Sequence, residues 1–149
     1  MPAKFSRRHL LWVAPLAVLV VAGAGFTARM MEPPPSDLDL SLSRATEHGL
    51  YVASLAADRS PIPVGTMHTW TVKVATADGK PADDVAITID GGMPQHGHGL
   101  PTKPEVTSDL GEGSHLIEGM KFNMTGWWTL TISIDGPKGG DKATFNLVL

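Results

Sequence analysis

The sequence predicts an all-β protein, a sandwich of about seven strands behind an N-terminal hydrophobic helix. From Gly49 onward, short runs of alternating apolar and polar residues are typical of strands that bury one face. Clusters of Gly, Pro and Asp separate these runs at the spacing of turns. No run after residue 28 has the period of an amphipathic helix. These observations together favour an immunoglobulin-like β-sandwich.

Residues 1–28 form a separate N-terminal segment. Lys4, Arg7 and Arg8 precede an apolar run beginning at Leu10, and the small residues 22–24 resemble a cleavage site. This pattern is typical of a secretory signal peptide. However, the run extends over residues 10–28, close to the length of a single membrane span, so a retained anchor remains an alternative. Because the basic residues precede the run, both alternatives predict an extracytoplasmic, periplasmic domain.

Residues 29–48 are predicted to be a tether. Pro33, Pro34 and Pro35 make the chain stiff and extended. The Asp-Leu and Ser-Leu steps that follow show no sustained helical period. The predicted domain therefore covers residues 49–149.

The predicted strands are short and are separated by turn residues. They are the first strand Tyr51–Ala57, a second from His68 to Val74, a third around Ile87, a short piece around Val106, two longer strands at Ser114–Met124 and Trp127–Asp135, and a last one from Ala143 to Leu149.

The Ser114–Met124 strand changes phase within its length. Its first apolar residues stand at odd positions and its later ones at even positions, which would place them on opposite faces. A bulge at Gly119, where the phase changes, would restore one inward face. We therefore predict that five side chains point inward together: His115, Ile117, Met120, Phe122 and Met124.

Composition narrows the function. After residue 28, nine Lys and Arg stand against fifteen Asp and Glu, so a mildly acidic domain is not expected to bind nucleic acid. Because the chain has no cysteine, thiolate zinc sites and thiol chemistry are excluded. No nucleophile elbow or phosphate-binding glycine loop is present. We therefore expect neither an enzyme nor a small-molecule substrate.

One loop has a pattern that suits metal binding. In "MPQHGHGLP", His96 and His98 are two residues apart, so an extended backbone places both on one side, about 6.6 Å apart. The nearby candidates for further ligands are Met93, Met120 and Met124. Imidazole and thioether without thiolate or carboxylate favour copper, and Cu(I) in particular.

The same residues have structural interpretations. A single His-Gly-His is a weak motif, and Met120 and Met124 have the strand spacing of core residues. Met93 could simply cap the sandwich. His68 and His115 lie on apolar faces, where a hydrogen-bonded core histidine is the usual explanation. The copper hypothesis depends on soft ligands occurring together in a thiol-free exported domain.

Two stretches carry a resemblance to a known family. Residues 90–101, "DGGMPQHGHGLP", and residues 119–128, "GMKFNMTGWW", resemble the YtkA-like/FixH-like family of bacterial exported domains. The resemblance extends over about residues 49–149 and implies a small immunoglobulin-like sandwich behind a membrane segment. It also implies a link to copper supply and respiratory-oxidase assembly for some members. The family's motif positions here are Met93, His96, His98, Met124 and Trp128.

Two functional hypotheses follow. In the first, the domain binds Cu(I) through His96 and His98, completed by Met93, Met124 and Met120, and delivers it to a copper-acceptor protein. In the second, the sandwich is an assembly module without metal that docks on a membrane complex, and the His-Gly-His loop is a turn.

Overall fold

The computed structural model describes residues 32–149, which form strands, turns and loops without a helix. The nine strands are β1 (Ser43–Ala45), β2 (Tyr51–Ala57), β3 (His68–Thr76), β4 (Ala86–Met93), β5 (His98–Gly99), β6 (Glu105–Gly111), β7 (Ser114–Met120), β8 (Trp127–Gly136) and β9 (Gly139–Val148). Within this range no helix is long and apolar enough to cross a membrane. The predicted signal peptide or anchor at residues 1–28 lies outside the described residues.

The strands form two antiparallel sheets. One has the order β1-β2-β3-β7-β6 and the other the order β5-β4-β8-β9. The order β2-β3-β7-β6 corresponds to strands A, B, E and D of an immunoglobulin domain, and β4-β8-β9 corresponds to C, F and G. The predicted immunoglobulin-like sandwich is therefore confirmed, with the short strands β1 and β5 added at the edges.

Strand β1 lies within the segment that the sequence pattern assigned to a tether. Ser43, Arg44 and Ala45 pair with β2, and the guanidinium of Arg44 donates to the carbonyl of Thr144 at 2.6 Å. Residues from Pro34 onward belong to one compact unit. The folded part therefore begins earlier than Gly49, because a strand of three residues has too short an alternation to stand out in sequence.

The core lies between the two sheets and follows the predicted alternation. Every second residue is buried from His68 to Val74 in β3 and from Trp128 to Ile134 in β8. The largest fully buried side chains come from both sheets and from the loop between β7 and β8: Trp70, Trp128, Tyr51, Phe122, Phe145 and Met93. Burial of such aromatic and aliphatic groups supplies the stability of a domain without disulfides.

The predicted bulge in β7 is present. His68 pairs with Met120 whereas Trp70 pairs with Ile117, so β7 has one more residue than β3 over this interval. Gly119 has a φ of 82°, which only glycine adopts without strain. Four of the five side chains predicted to share the inward face are buried, namely His115, Ile117, Met120 and Phe122.

The prediction that Met124 shares this inward face is wrong, because Met124 is 39% exposed. Strand β7 ends at Met120, and the chain then crosses from one sheet to the other before β8 begins at Trp127. Strand alternation therefore does not continue to Met124. The indole N–H of Trp128 donates to the Met124 carbonyl at 3.0 Å and holds this crossing loop in place.

Candidate metal site at one end of the sandwich

The His-Gly-His motif covers the end of the tight turn that follows β4 and the first residue of β5. The carbonyl of Met93 accepts hydrogen bonds from the backbone N–H groups of His96 at 3.1 Å and Gly97 at 2.9 Å. Gly97 has a φ of 70°, so a glycine is favoured at this point of the turn. Beyond the turn, His98 pairs directly with Met93. Both histidines are therefore presented by a turn whose backbone is fixed by hydrogen bonds.

The two imidazoles lie close together at the surface. Their ring centroids are 5.7 Å apart and the rings are nearly stacked, with an angle of 30° between their planes. His98 is exposed and His96 is half-buried. The His98 ring also lies 6.4 Å from the ring of the buried Trp128. The pair is thus accessible to solvent on one side and supported by the core on the other.

Met93 is the last residue of β4, just before the turn. It is 1% exposed and stands opposite His98, and in an antiparallel pair such residues have Cβ atoms about 5 Å apart on the same face. A Cβ added to Gly126 would be only 2.9 Å from Cε of Met93. The crossing loop that carries Met124 therefore packs directly against the Met93 side chain.

Met120 occupies a different position from the other predicted ligands. It is 1% exposed and pairs with His68 on the neighbouring strand of the five-stranded sheet. The structure thus brings His96, His98 and Met93 together, with the loop of Met124 beside them, and puts Met120 in the interior next to His68.

A series of aromatic rings connects these two positions. The ring of Phe122 is 5.1 Å from that of Trp128 and 5.6 Å from that of His68. The Trp128 ring in turn lies 6.4 Å from His98. The exposed histidines and the buried His68 therefore lie at the same end of the sandwich, separated by two aromatic side chains.

Two residues at this end were not among the predicted ligands. Met67 is 55% exposed, and His68, 4% exposed, begins β3. The adjacent Met67-His68 pair at the start of a strand is a signal that sequence analysis could have used. His68 was instead interpreted as a core histidine because it shares an alternating face with Trp70 and Val72.

The donors available here are imidazoles and thioethers. Among residues 32–149, no group of three or more His, Cys, Asp or Glu side chains is arranged to hold a metal ion. Asp78 and Asp141, the two carboxylates whose pKa is lowered, lie far from this site. Asp78 follows the end of β3 that is opposite His68, and Asp141 lies at the end of the β8–β9 pair that is opposite Trp128. A metal at this end would therefore need thioether ligands as well as imidazoles, which suits a soft ion.

The sequence profile of the YtkA-like family matches residues 51–133. This range runs from the first residue of β2 into β8 and includes the His-Gly-His turn, the bulge of β7 and the crossing loop. No curated protein gives a significant match to the chain. Since the matched range covers more than half of the sequence, the chain belongs to the YtkA-like family.

Proposed function

We propose that this protein is an extracytoplasmic copper-binding domain that holds Cu(I) and passes it to an acceptor protein, in support of the assembly of a respiratory oxidase. His96 and His98 are the principal ligands, and the thioethers of Met93 and Met124 complete the set. The observation that carries the proposal is the pair of imidazoles 5.7 Å apart on a fixed surface turn. The extracytoplasmic location is inferred from the basic and apolar residues of the N-terminal segment.

The burial of these residues is consistent with delivery of the metal. His98 and Met124 are accessible from solvent, so an acceptor protein could reach a metal held there. Met93 is buried and stands opposite His98 in the strand pairing, so it would contribute a thioether protected from water. A ligand set of imidazoles and thioethers, without thiolate or carboxylate, favours Cu(I) over hard ions such as Mg²⁺ and Ca²⁺.

Competition for Cu(I) tests the proposal. The full chain and its His96→Ala/His98→Ala variant are mixed with Cu(I) and a coloured Cu(I) chelator, and the copper retained by each protein is measured. We expect the double variant to retain less copper, by about one Cu(I) per chain, since both principal ligands of the surface site are lost. Equal retention by the two proteins would contradict the proposal.

The matched control is His48→Ala. His48 has a side chain that is 74% exposed and contacts Asp141 on β9, at the end of the sheet opposite Trp128. Removing this imidazole should leave copper retention unchanged. Tryptophan fluorescence gives a second measurement, because the Trp128 ring lies 6.4 Å from His98 and copper bound there should quench the emission more strongly in the native protein than in the double variant.

A second candidate function rests on exposed apolar residues at the same end. Val64 and Met67 are 38% and 55% exposed, and Val64 forms a bridge with Phe122 in the loop that carries Met124. Exposed apolar groups that lie close together are typical of protein docking surfaces. Equal copper retention in the competition experiment would favour an assembly module that docks on a membrane complex through these residues.

A further inference from the structure

His68 has an imidazole whose protonation pattern is set by the backbone. Its Nδ1 lies 3.0 Å from the carbonyl oxygen of Thr66. Because a carbonyl only accepts hydrogen bonds, Nδ1 must carry the proton in this contact. In the neutral ring, Nε2 then has a free lone pair. Since Nε2 lies across the ring from Nδ1, this lone pair points away from Thr66.

The free nitrogen is buried and unpaired. His68 is only 4% exposed, and its Nε2 has no hydrogen-bond partner among residues 32–149. Buried polar atoms in native proteins are nearly always paired with protein, water or a ligand. An interior nitrogen whose lone pair accepts no hydrogen bond is therefore suited to an acceptor of electron pairs such as a metal ion.

The surroundings of His68 are soft and uncharged. Met120, which is 1% exposed, stands directly opposite it on β7. The rings of Phe122 and Trp70 lie 5.6 Å and 6.3 Å from the His68 ring. Imidazole and thioether coordinate soft ions, and aromatic faces attract cations. With no carboxylate in this set, a monovalent soft cation fits better than a divalent one.

We propose that His68 Nε2 and the Met120 thioether form an interior binding site for a soft monovalent metal ion, Cu(I) or its analogue Ag(I). This site is separate from the surface pair, since Phe122 and Trp128 lie between His68 and His98 in the series of rings. It goes beyond the proposed function, because it does not require that His96 and His98 bind metal.

The bulge at Gly119 explains how the site is built. Without the extra residue, the strand alternation that places His115 and Ile117 inward would turn Met120 outward. The bulge restores the inward direction two residues before Phe122 and brings Met120 opposite His68. The same irregularity therefore completes both the core and the interior donor pair.

Nuclear magnetic resonance with Ag(I) tests this site. Ag(I) is added to the full chain carrying His96→Ala/His98→Ala, and the imidazole nitrogens and methionine methyl groups are observed. We expect selective shifts of His68 Nε2 and the Met120 methyl that saturate near one Ag(I) per chain. Unchanged signals from both groups in excess Ag(I) would overturn the proposal. This is the result expected if an internal water molecule forms a hydrogen bond with Nε2 instead.

Two further variants in the same background separate ligation from packing. Met120→Leu removes the sulfur but conserves volume, so it should keep the fold and weaken Ag(I) binding about tenfold or more. His115→Phe is the matched control, because His115 also has a buried, unpaired Nε2 but stands opposite Val72 and not a methionine. Ag(I) binding should survive this change, and its loss would contradict the assignment.

The two proposals fail in different ways. If the surface histidines bind no copper, the wild type and His96→Ala/His98→Ala retain it equally, and the response of His68 and Met120 is unaffected. If the interior site does not exist, His68 and Met120 give no response, whatever the surface histidines do.

Discussion

Asp141 is a buried carboxylate that fixes the turn between β1 and β2 against β9. Its side chain is inaccessible to solvent and accepts hydrogen bonds from the backbone N–H groups of His48, Leu50 and Lys142. Burial alone would raise the pKa of Asp141. Hydrogen bonds from Thr46, His48 and the backbone outweigh it and hold this pKa well below the ordinary value of 3.8.

This lowered pKa makes a prediction about acid stability. A carboxyl whose folded-state pKa is lowered stabilises the fold above its unfolded pKa, and this stabilisation is lost as the pH falls through the folded pKa. We expect Asp141→Asn to be less stable than the wild type at pH 7. Both carboxylate oxygens of Asp141 accept backbone hydrogen bonds, whereas an Asn side chain has only one accepting oxygen and an N–H₂ group that only donates. The difference in unfolding free energy should shrink below about pH 4.

Urea unfolding at several pH values measures this difference. The exposed Asp135 lies on β8 opposite Gly140, next to Asp141 in the same strand pair. It provides the control variant Asp135→Asn, which is expected to change stability little. A constant gap between the wild type and Asp141→Asn from pH 7 to pH 3 would show that ionisation of Asp141 is not linked to folding.

At the level of single elements, β7 depends on the conformation of Gly119. With a φ of 82°, an L-residue at this point would be strained. A Cβ at Gly119 would come no closer than 3.4 Å to its nearest neighbour, the carbonyl of Lys103. We therefore predict that Gly119→Ala destabilises the domain by about 1 kcal/mol, through backbone strain more than through a clash.

A comparison of Gly119→Asn with Gly119→Ala tests whether backbone strain causes the loss of stability. Asn tolerates the left-handed region better than Ala, so Gly119→Asn should cost less than Gly119→Ala in thermal or urea unfolding. If both variants were as stable as the wild type, the positive φ would not be required for the strand to keep its inward face.

At the level of the whole molecule, Arg44 joins the two sheets. It belongs to β1 of the five-stranded sheet, donates to the Thr144 carbonyl on β9 at 2.6 Å, and places its guanidinium 5.3 Å from the centroid of the Phe145 ring. A charged hydrogen bond and a cation–π contact are each worth on the order of 1 kcal/mol. Arg44→Ala should therefore lower the unfolding free energy by about 2 kcal/mol.

Arg59→Ala is the matched comparison for this prediction. The Arg59 side chain is 60% exposed, and its guanidinium is 3.8 Å from the Asp58 carboxylate, so its removal should change stability by less than about 0.5 kcal/mol. Equal unfolding midpoints for the two alanine variants would mean that β1 contributes little to the sandwich and acts as part of a tether.

The sequence predicted most strands because each buries one face and alternates accordingly. It also located the bulge, since the phase change around Gly119 is visible in the residue pattern itself. It did not reveal β1 or β5, because strands of three and two residues contain too few positions for a pattern. The exposure of Met124 was missed because strand alternation was extended past Met120 into a loop whose course depends on the other sheet.

By itself, the sequence determined the all-β class and the inward faces of the longer strands, because these depend on local alternation. His96 and His98 lie close together because of a tight turn with a positive φ at Gly97, and not because of the extended backbone that their spacing suggested. Only the tertiary structure decided which methionine meets which histidine. Met93 stands opposite His98 and Met120 opposite His68, pairs that arise from strand register. Register is set by contacts between residues distant in sequence, which a local pattern does not contain.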